Sequence, residues 1–240
     1  MPVTKEKFKT YKNVFDNFTE RNIFKLSSQG HFDQMESPVF IGKESNVFTA
    51  IKDDKRVIVK IYRLETCDFN RMYDYIKYDP RYLGLKKQKR KVIFAWTQRE
   101  FRNLMKAREA GVRVPTPYTC LHNILVMELI GNEKVAPMLK DSVPYEKEDA
   151  NKMFKDIISN MKKLHKAGLV HADLSGFNIL NLNNRPVFID FSQATPSSGM
   201  RSMEYLQRDI KNICTLFRKN GVDADEDEVL KKVRSRHNPP

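Results

Sequence analysis

Between residues 150 and 168 the apolar side chains fall on one helical stripe, and this stretch constrains the fold more than any other. Ala150, Met153, Phe154, Ile157, Ile158, Met161 and Leu164 recur at spacings of three and four, with Gly168 placed to cap the C-terminus. Such a stripe must bury itself against a second layer. Two short apolar strands follow, Asn178-Ile-Leu-Asn-Leu and Val187-Phe-Ile-Asp, joined by Asn183-Asn184, a good hairpin turn. The order is amphipathic helix, polar loop, hairpin.

The first half reads differently. Asn17 to Ser28 has short helical periodicity and ends at Gln29-Gly30. Val39–Ile41, Val47–Ile51 and Arg56–Tyr62 are strand-like, with Asp53-Asp54 as a turn. Residues 64–91 are expected to form a helix fragment and a mobile loop, the loop over about 66–90. A helix from about Lys91 to Ala110 closes at Gly111, and Ile124–Ile130 is a further strand. Gly131–Pro144 is a linker, and a final helix covers roughly Met203–Arg218. This divides the chain into a helical segment 1–37, a strand-rich lobe 38–131 and a helical lobe 132–240.

At 240 residues and 40% hydrophobic content the chain can build a packed core. Cys67, Cys120 and Cys214 lie far apart and suit reduced thiols rather than a disulfide framework or zinc site. The charged N-terminus has no apolar leader core, and the run Ile124–Met127 is far too short to span a membrane. A cytoplasmic, membrane-free protein is expected. Its formal charge of +13 attracts polyanions, nucleic acid foremost, although a basic surface also serves plain solubility.

The chemistry-bearing residues suit phosphoryl transfer, which needs charge clamps, metal ligands and a group to receive a proton. His171-x-Asp173-x-x-x-x-Asn178 has the catalytic-loop spacing of kinases, with Asp173 as proton acceptor and Asn178 toward a metal. Read alone, it is also an ordinary polar loop. Asp190, ending the strand Val187–Asp190, is a second oxygen ligand for Mg²⁺ or Mn²⁺, or an Asp opening a turn. Lys60 shares a strand face with Ile58, where a charge needs a partner or ligand. Glu100 is its candidate partner, against a capping box in which Glu100 reaches back to Thr97. Gly42-Lys-Glu-Ser-Asn-Val47 occupies a strand–loop–strand position where Lys43 and Ser45 can donate to phosphate.

Together these residues resemble the RIO family of atypical protein kinases. Leu169-Val-His-Ala-Asp-Leu-Ser175, Asn178-Ile-Leu and Ile189-Asp-Phe-Ser-Gln193 are similar to its catalytic and metal loops, and Gly42–Val47 to its phosphate loop. Trp96–Leu104 and Gly111–Tyr118 point to the type 1 branch. Ser45, Ile41 and the Asp190-Phe-Ser triplet depart from that branch's usual residues. The resemblance implies an α+β, bilobal protein-kinase-like fold without an activation segment or peptide-docking helices. It implies ATP held by Gly42, Lys43, Ser45, Val47, Lys60 and Glu100, with Met127 behind the adenine and the Glu128 and Ile130 backbones bonding it. It further implies Mg²⁺ on Asn178 and Asp190, a phosphoaspartate on Asp190, and work in small ribosomal subunit maturation. Lys86–Lys91 and Lys231–Arg236 are then candidate contacts to pre-ribosomal RNA. Asp209 either anchors the catalytic loop or is an exposed helix residue. Two rivals are a small-molecule kinase of the aminoglycoside or choline type and an ATP-switched assembly scaffold with little turnover.

Overall fold

The computed structural model describes residues 15–132 and 134–235. Helix α1 (Asn17–Ser28) starts at Asp16, whose carboxylate accepts from the N–H groups of Phe18 and Thr19 at 3.0 Å each. It stops where Gly30 takes a φ of +76°. Residues 1–14 of the expected N-terminal segment lie outside the described residues. The rest is no separate segment, because Ile23 and Leu26 of α1 share a core with Phe32, Met35 and the sheet.

Five antiparallel strands form that sheet: β1 (Gln34–Ile41), β2 (Ser45–Lys52), β3 (Lys55–Tyr62), β4 (Pro117–Leu121) and β5 (Ile124–Glu128). Their spatial order is β1-β2-β3-β5-β4. Asp53 and Asp54 both take positive φ, the geometry of a tight hairpin turn between β2 and β3. Central β3 is buried from Val57 through Tyr62, Lys60 included.

The stretch expected as a mobile loop contains helix α2 (Phe69–Ile76) and a 3-10 turn, Pro80–Tyr82. Met72, Ile76 and Tyr82 pack there with Trp96 of helix α3 (Lys89–Glu109). Gly111, at φ +72°, follows α3 as expected.

Two compact units emerge. The first holds the described residues up to Phe101 together with Thr116–Leu129, and the second holds Arg102–Pro115 and the described residues from Ile130 onward. The expected boundary at residue 131 therefore misses one exchange, for the end of α3 and the segment after it belong to the second unit.

In the second unit α4 (Lys147–Lys166) buries the predicted stripe, including Met153, Ile157 and Leu164. The hairpin consists of β7 (Ile179–Leu182) and β8 (Arg185–Phe188), turned by Asn183 and Asn184 at positive φ. Two-residue strands β6 (Leu169–Val170) and β9 (Thr195–Pro196) pair beside it. Helix α5 (Ser202–Arg218) matches the predicted final helix, but α6 (Glu226–Arg234) follows it. Only residues 191–201 separate Asp190 from α5. Among the described residues no helix is long and apolar enough to cross a membrane.

Candidate active site

In the first unit, the middle of α3 buries Thr97, Arg99 and Glu100 beside Trp96. Buried charges need partners. Glu100 finds two on β3: Lys60 Nζ at 2.8 Å from Oε1, and the Tyr62 hydroxyl at 2.5 Å from Oε2. The capping-box alternative fails, because α3 starts at Lys89 and Thr97 lies inside it, its hydroxyl donating to the Ile93 carbonyl. Arg99 instead meets buried Asp79, which also accepts from Arg81.

Val47 pairs with Lys60 across the β2–β3 ladder, placing the end of the Gly42–Val47 loop beside the lysine. Gly42 N–H donates to the Ser45 carbonyl at 3.0 Å, closing the turn. A Cβ at Gly42 would lie 2.6 Å from the exposed Phe40 ring and 3.1 Å from the Ser45 carbonyl, so a larger residue there would have to push the Phe40 ring aside. Lys43 is exposed and Ser45 half-buried. Met127 stands opposite Ile58, and Glu128 gives its N–H to the Thr116 carbonyl at 2.8 Å. In the second unit the Ile130 carbonyl accepts from Ala136 at 2.8 Å.

The second unit builds its site around the loop after β6. Asp209 on α5 is buried and accepts from the Ala172 and Leu174 N–H groups at 2.8 and 2.9 Å. It is therefore an anchor and not an exposed helix residue. Burial pushes its carboxyl up to about 7, while the two backbone donors pull it down. Ala172 sits at φ +65°, a left-handed conformation costly for a residue with a Cβ. The Asp209 bonds and an Arg208 bond to the Ala172 carbonyl hold it there.

His171 is buried against Phe191, and its Nε2–H donates to the Ile189 carbonyl at 3.0 Å. Desolvation lowers its pKa to about 4, so the ring is neutral. Next in the loop, half-buried Asp173 accepts at Oδ2 from the side-chain amides of Asn178 and Gln193, both at 3.2 Å. Asn178 also donates to the Asp173 carbonyl at 2.8 Å, which turns its amide oxygen away from Asp173.

Asp190 does not end a strand. Strand β8 stops at Phe188, and Ile189 N–H still bonds the Asn178 carbonyl at 3.0 Å. Asp190 then flips to φ +58°, and its Oδ1 accepts from the Ser192 hydroxyl at 2.7 Å. Asp190, a candidate site carboxylate, is thus a left-handed non-glycine residue like Ala172.

Residues 46–229 match the family described as the RIO domain. The chain belongs to the RIO family. It is 40% identical over 231 residues to the RIO-type serine/threonine-protein kinase Rio1 of Haloferax volcanii, covering 95% of this chain and 78% of that one. It is also 40% identical over 237 residues to Rio1 of Methanocaldococcus jannaschii, at 98% and 80% coverage. By these measures it is a RIO-type serine/threonine kinase. The fold agrees with the crystal structure of the Rio2 kinase–ADP/Mg²⁺–phosphoaspartate complex from Chaetomium thermophilum, with TM-score 0.65 at 23% identity. That match covers 88% of this RIO chain and 64% of the other, less than two thirds of its length.

Three RIO-site neighbours carry no clear sequence signal. Tyr62 reads as a strand aromatic, although alternation already puts it on the Lys60 face. Asn103 lies hidden in a helix, and Gln193 ends a motif without an obvious task.

Proposed function

We propose that this RIO kinase uses ATP with Mg²⁺ (or Mn²⁺) to phosphorylate a serine or threonine or to hydrolyse ATP, in maturation of the small ribosomal subunit. The observation that carries this reading is the Asp173 carboxylate, fixed by two neutral amides on a loop anchored at Asp209. A carboxylate so placed can accept the proton of an attacking hydroxyl or water.

The donor set fits the cofactors. Asn178 directs its amide oxygen away from Asp173, and Asp190 adds carboxylate oxygen, the hard ligands Mg²⁺ prefers. Asn178 and Asp190 would hold such an ion where it could offset charge on the ATP phosphates. Lys60, held by Glu100, would clamp the α- and β-phosphates, with Gly42, Lys43, Ser45 and Val47 beside them. Glu128 has its N–H and Ile130 its carbonyl engaged elsewhere, so adenine recognition would fall to the Glu128 carbonyl and the Ile130 N–H. Gly131, at φ +144°, suits this segment because a Cβ would strike the Lys134 carbonyl.

For hydrolysis, an Asp190 oxygen would bond the γ-phosphorus as its bond to the ADP oxygen breaks. Water would then release phosphate and restore the carboxylate. Family membership and 40% identity to protein kinases favour this reading over a small-molecule kinase. An RNA-bearing partner is supported by the start of α3, where exposed Arg90 and Lys91 follow exposed Lys86 and Lys87 and the first helical turn holds no acidic residue.

The test is acid-quenched reaction with γ-labelled ATP. Wild type should carry a hydroxylamine-labile label that Asp190→Asn lacks. Asp173→Asn should keep ATP affinity within a few-fold and lose about 10²-fold in turnover. Near-wild-type turnover in Asp173→Asn would reject Asp173 as the proton acceptor.

A further inference from the structure

Residues Phe191–Ala194 form a loop pinned from beneath by a single buried side chain. Asn103 on α3 is fully enclosed and gives both amide protons to this loop, to the carbonyls of Phe191 at 3.0 Å and Ala194 at 2.8 Å. The Ala194 N–H closes the loop on the Phe191 carbonyl at 3.2 Å, and the Phe191 ring packs against His171 at 4.6 Å. The two residues so bracketed serve two different carboxylates: Ser192 donates to Asp190, and Gln193 donates through Nε2 to Asp173 Oδ2.

The Gln193 amide has one sensible orientation, since exchanging its oxygen and nitrogen would set two oxygens against each other. Its Oε1 is buried without a hydrogen-bond partner among the described residues. An unpaired buried acceptor is costly, and a glutamine kept for packing alone would gain by being apolar. What Gln193 does contribute is its Nε2 bond. A carboxylate turns easily about χ2, where the torsional wells are broad. Two amide donors on one oxygen, from Asn178 and Gln193, stop that rotation.

We propose that Gln193 is a positioning residue that fixes the Asp173 carboxylate, on a loop that Asn103 holds in register. The proposal rests on Asp173 being the proton acceptor, and a misaligned acceptor loses rate rather than substrate affinity.

The test compares Gln193→Met, of similar length but without a donor, and Gln193→Glu, of the same shape, with wild type and in an Asp173→Asn background. Single-turnover phosphate release, ATP KM and thermal melting are measured for each. Gln193→Met should lower kcat about 10-fold, leave KM within about 2-fold, and melt no lower than wild type because the unpaired oxygen is gone. Gln193→Glu should lose at least as much rate. In the Asp173→Asn background either change should cost less than about 2-fold more. Equal losses in both backgrounds, or a rate loss that follows a lowered melting point, would overturn the positioning role. Full turnover in Asp173→Asn alone would instead remove the assignment of Asp173 on which it rests.

Discussion

Lys60 Nζ and Glu100 Oε1 lie 2.8 Å apart, and the two side chains are 6% and 1% exposed. A buried pair gains little net stability over apolar packing, because desolving both charges offsets their attraction. Removing one partner is another matter, since it strands a charge. Lys60→Met or Glu100→Gln alone should therefore destabilise the chain by about 3–5 kcal/mol. The double variant should recover much of that stability, and it should stay inactive if Lys60 is the phosphate clamp proposed above. Denaturant melts of the four proteins measure the coupling, and strictly additive losses would show that the pair is not coupled.

Asp209 ties the loop around Asp173 by two bonds that no single neutral side chain can replace. In Asp209→Asn the oxygen can keep one backbone donor, but the new amide confronts the other N–H. The chain should stay folded while turnover falls at least about 10-fold, as Ala172 relaxes from its left-handed conformation. Asp209→Ala leaves both N–H groups unpaired and should destabilise by about 2–4 kcal/mol. If Asp209→Asn turns over like wild type, the anchor has no bearing on Asp173.

His171 gives the fold a pH dependence whose sign follows from its burial. Its Nε2–H is used and its Nδ1 is buried without a partner among the described residues, so a second proton would have no acceptor. With the folded pKa near 4 and the unfolded value near 6.5, the folded state binds fewer protons between them. Its contribution is complete above about pH 6.5 and is lost as pH falls toward 4, up to about 3 kcal/mol. Wild type and His171→Gln should differ in pH slope over that window. Comparing the two isolates the histidine, because Asp209 titrates in both. Parallel stability curves would refute the assignment.

Much of this was legible where one residue type meets one local rule. The α4 stripe, the Asn183-Asn184 turn and the spacing from His171 to Asn178 need only their own neighbours. Helix α3 was also legible, found at Lys89–Glu109 where about Lys91–Ala110 was expected, but the buried Arg99 and Asn103 in its middle meet partners far away in sequence and gave no hint of their roles. Helix α6 did carry a signal. Asp225 caps it, acids fill its first turn and Lys231, Lys232 and Arg234 its last, but the basic end alone was read. Asp190 was misplaced by two residues because β-branched and aromatic neighbours do not reveal a flip to positive φ. The tasks of Gln193 and Asn103 depend on carbonyls and carboxylates brought near only by folding.

The basic stretch before and within α3 makes the last prediction, and the structure changes which residues to test. Lys89 is half-buried and donates to the Glu65 carbonyl at 2.5 Å, so it is poorly placed to meet RNA. Lys86, Lys87, Arg90 and Lys91 are exposed, and Arg236 of the C-terminal run lies outside the described residues. If these four contact phosphates, each releases condensed counterions, with a log–log salt slope of about −0.7 per contact on single strands. Four contacts give a slope of about −3. Replacing all four with Gln should flatten the salt dependence by that amount for a small-subunit rRNA fragment and weaken binding at low salt most. Removing Lys or Arg here also relieves repulsion from the α3 dipole, so the variant should fold at least as well as wild type. Titrations of both proteins at several salt concentrations decide the matter, and equal slopes would take this face out of any RNA contact.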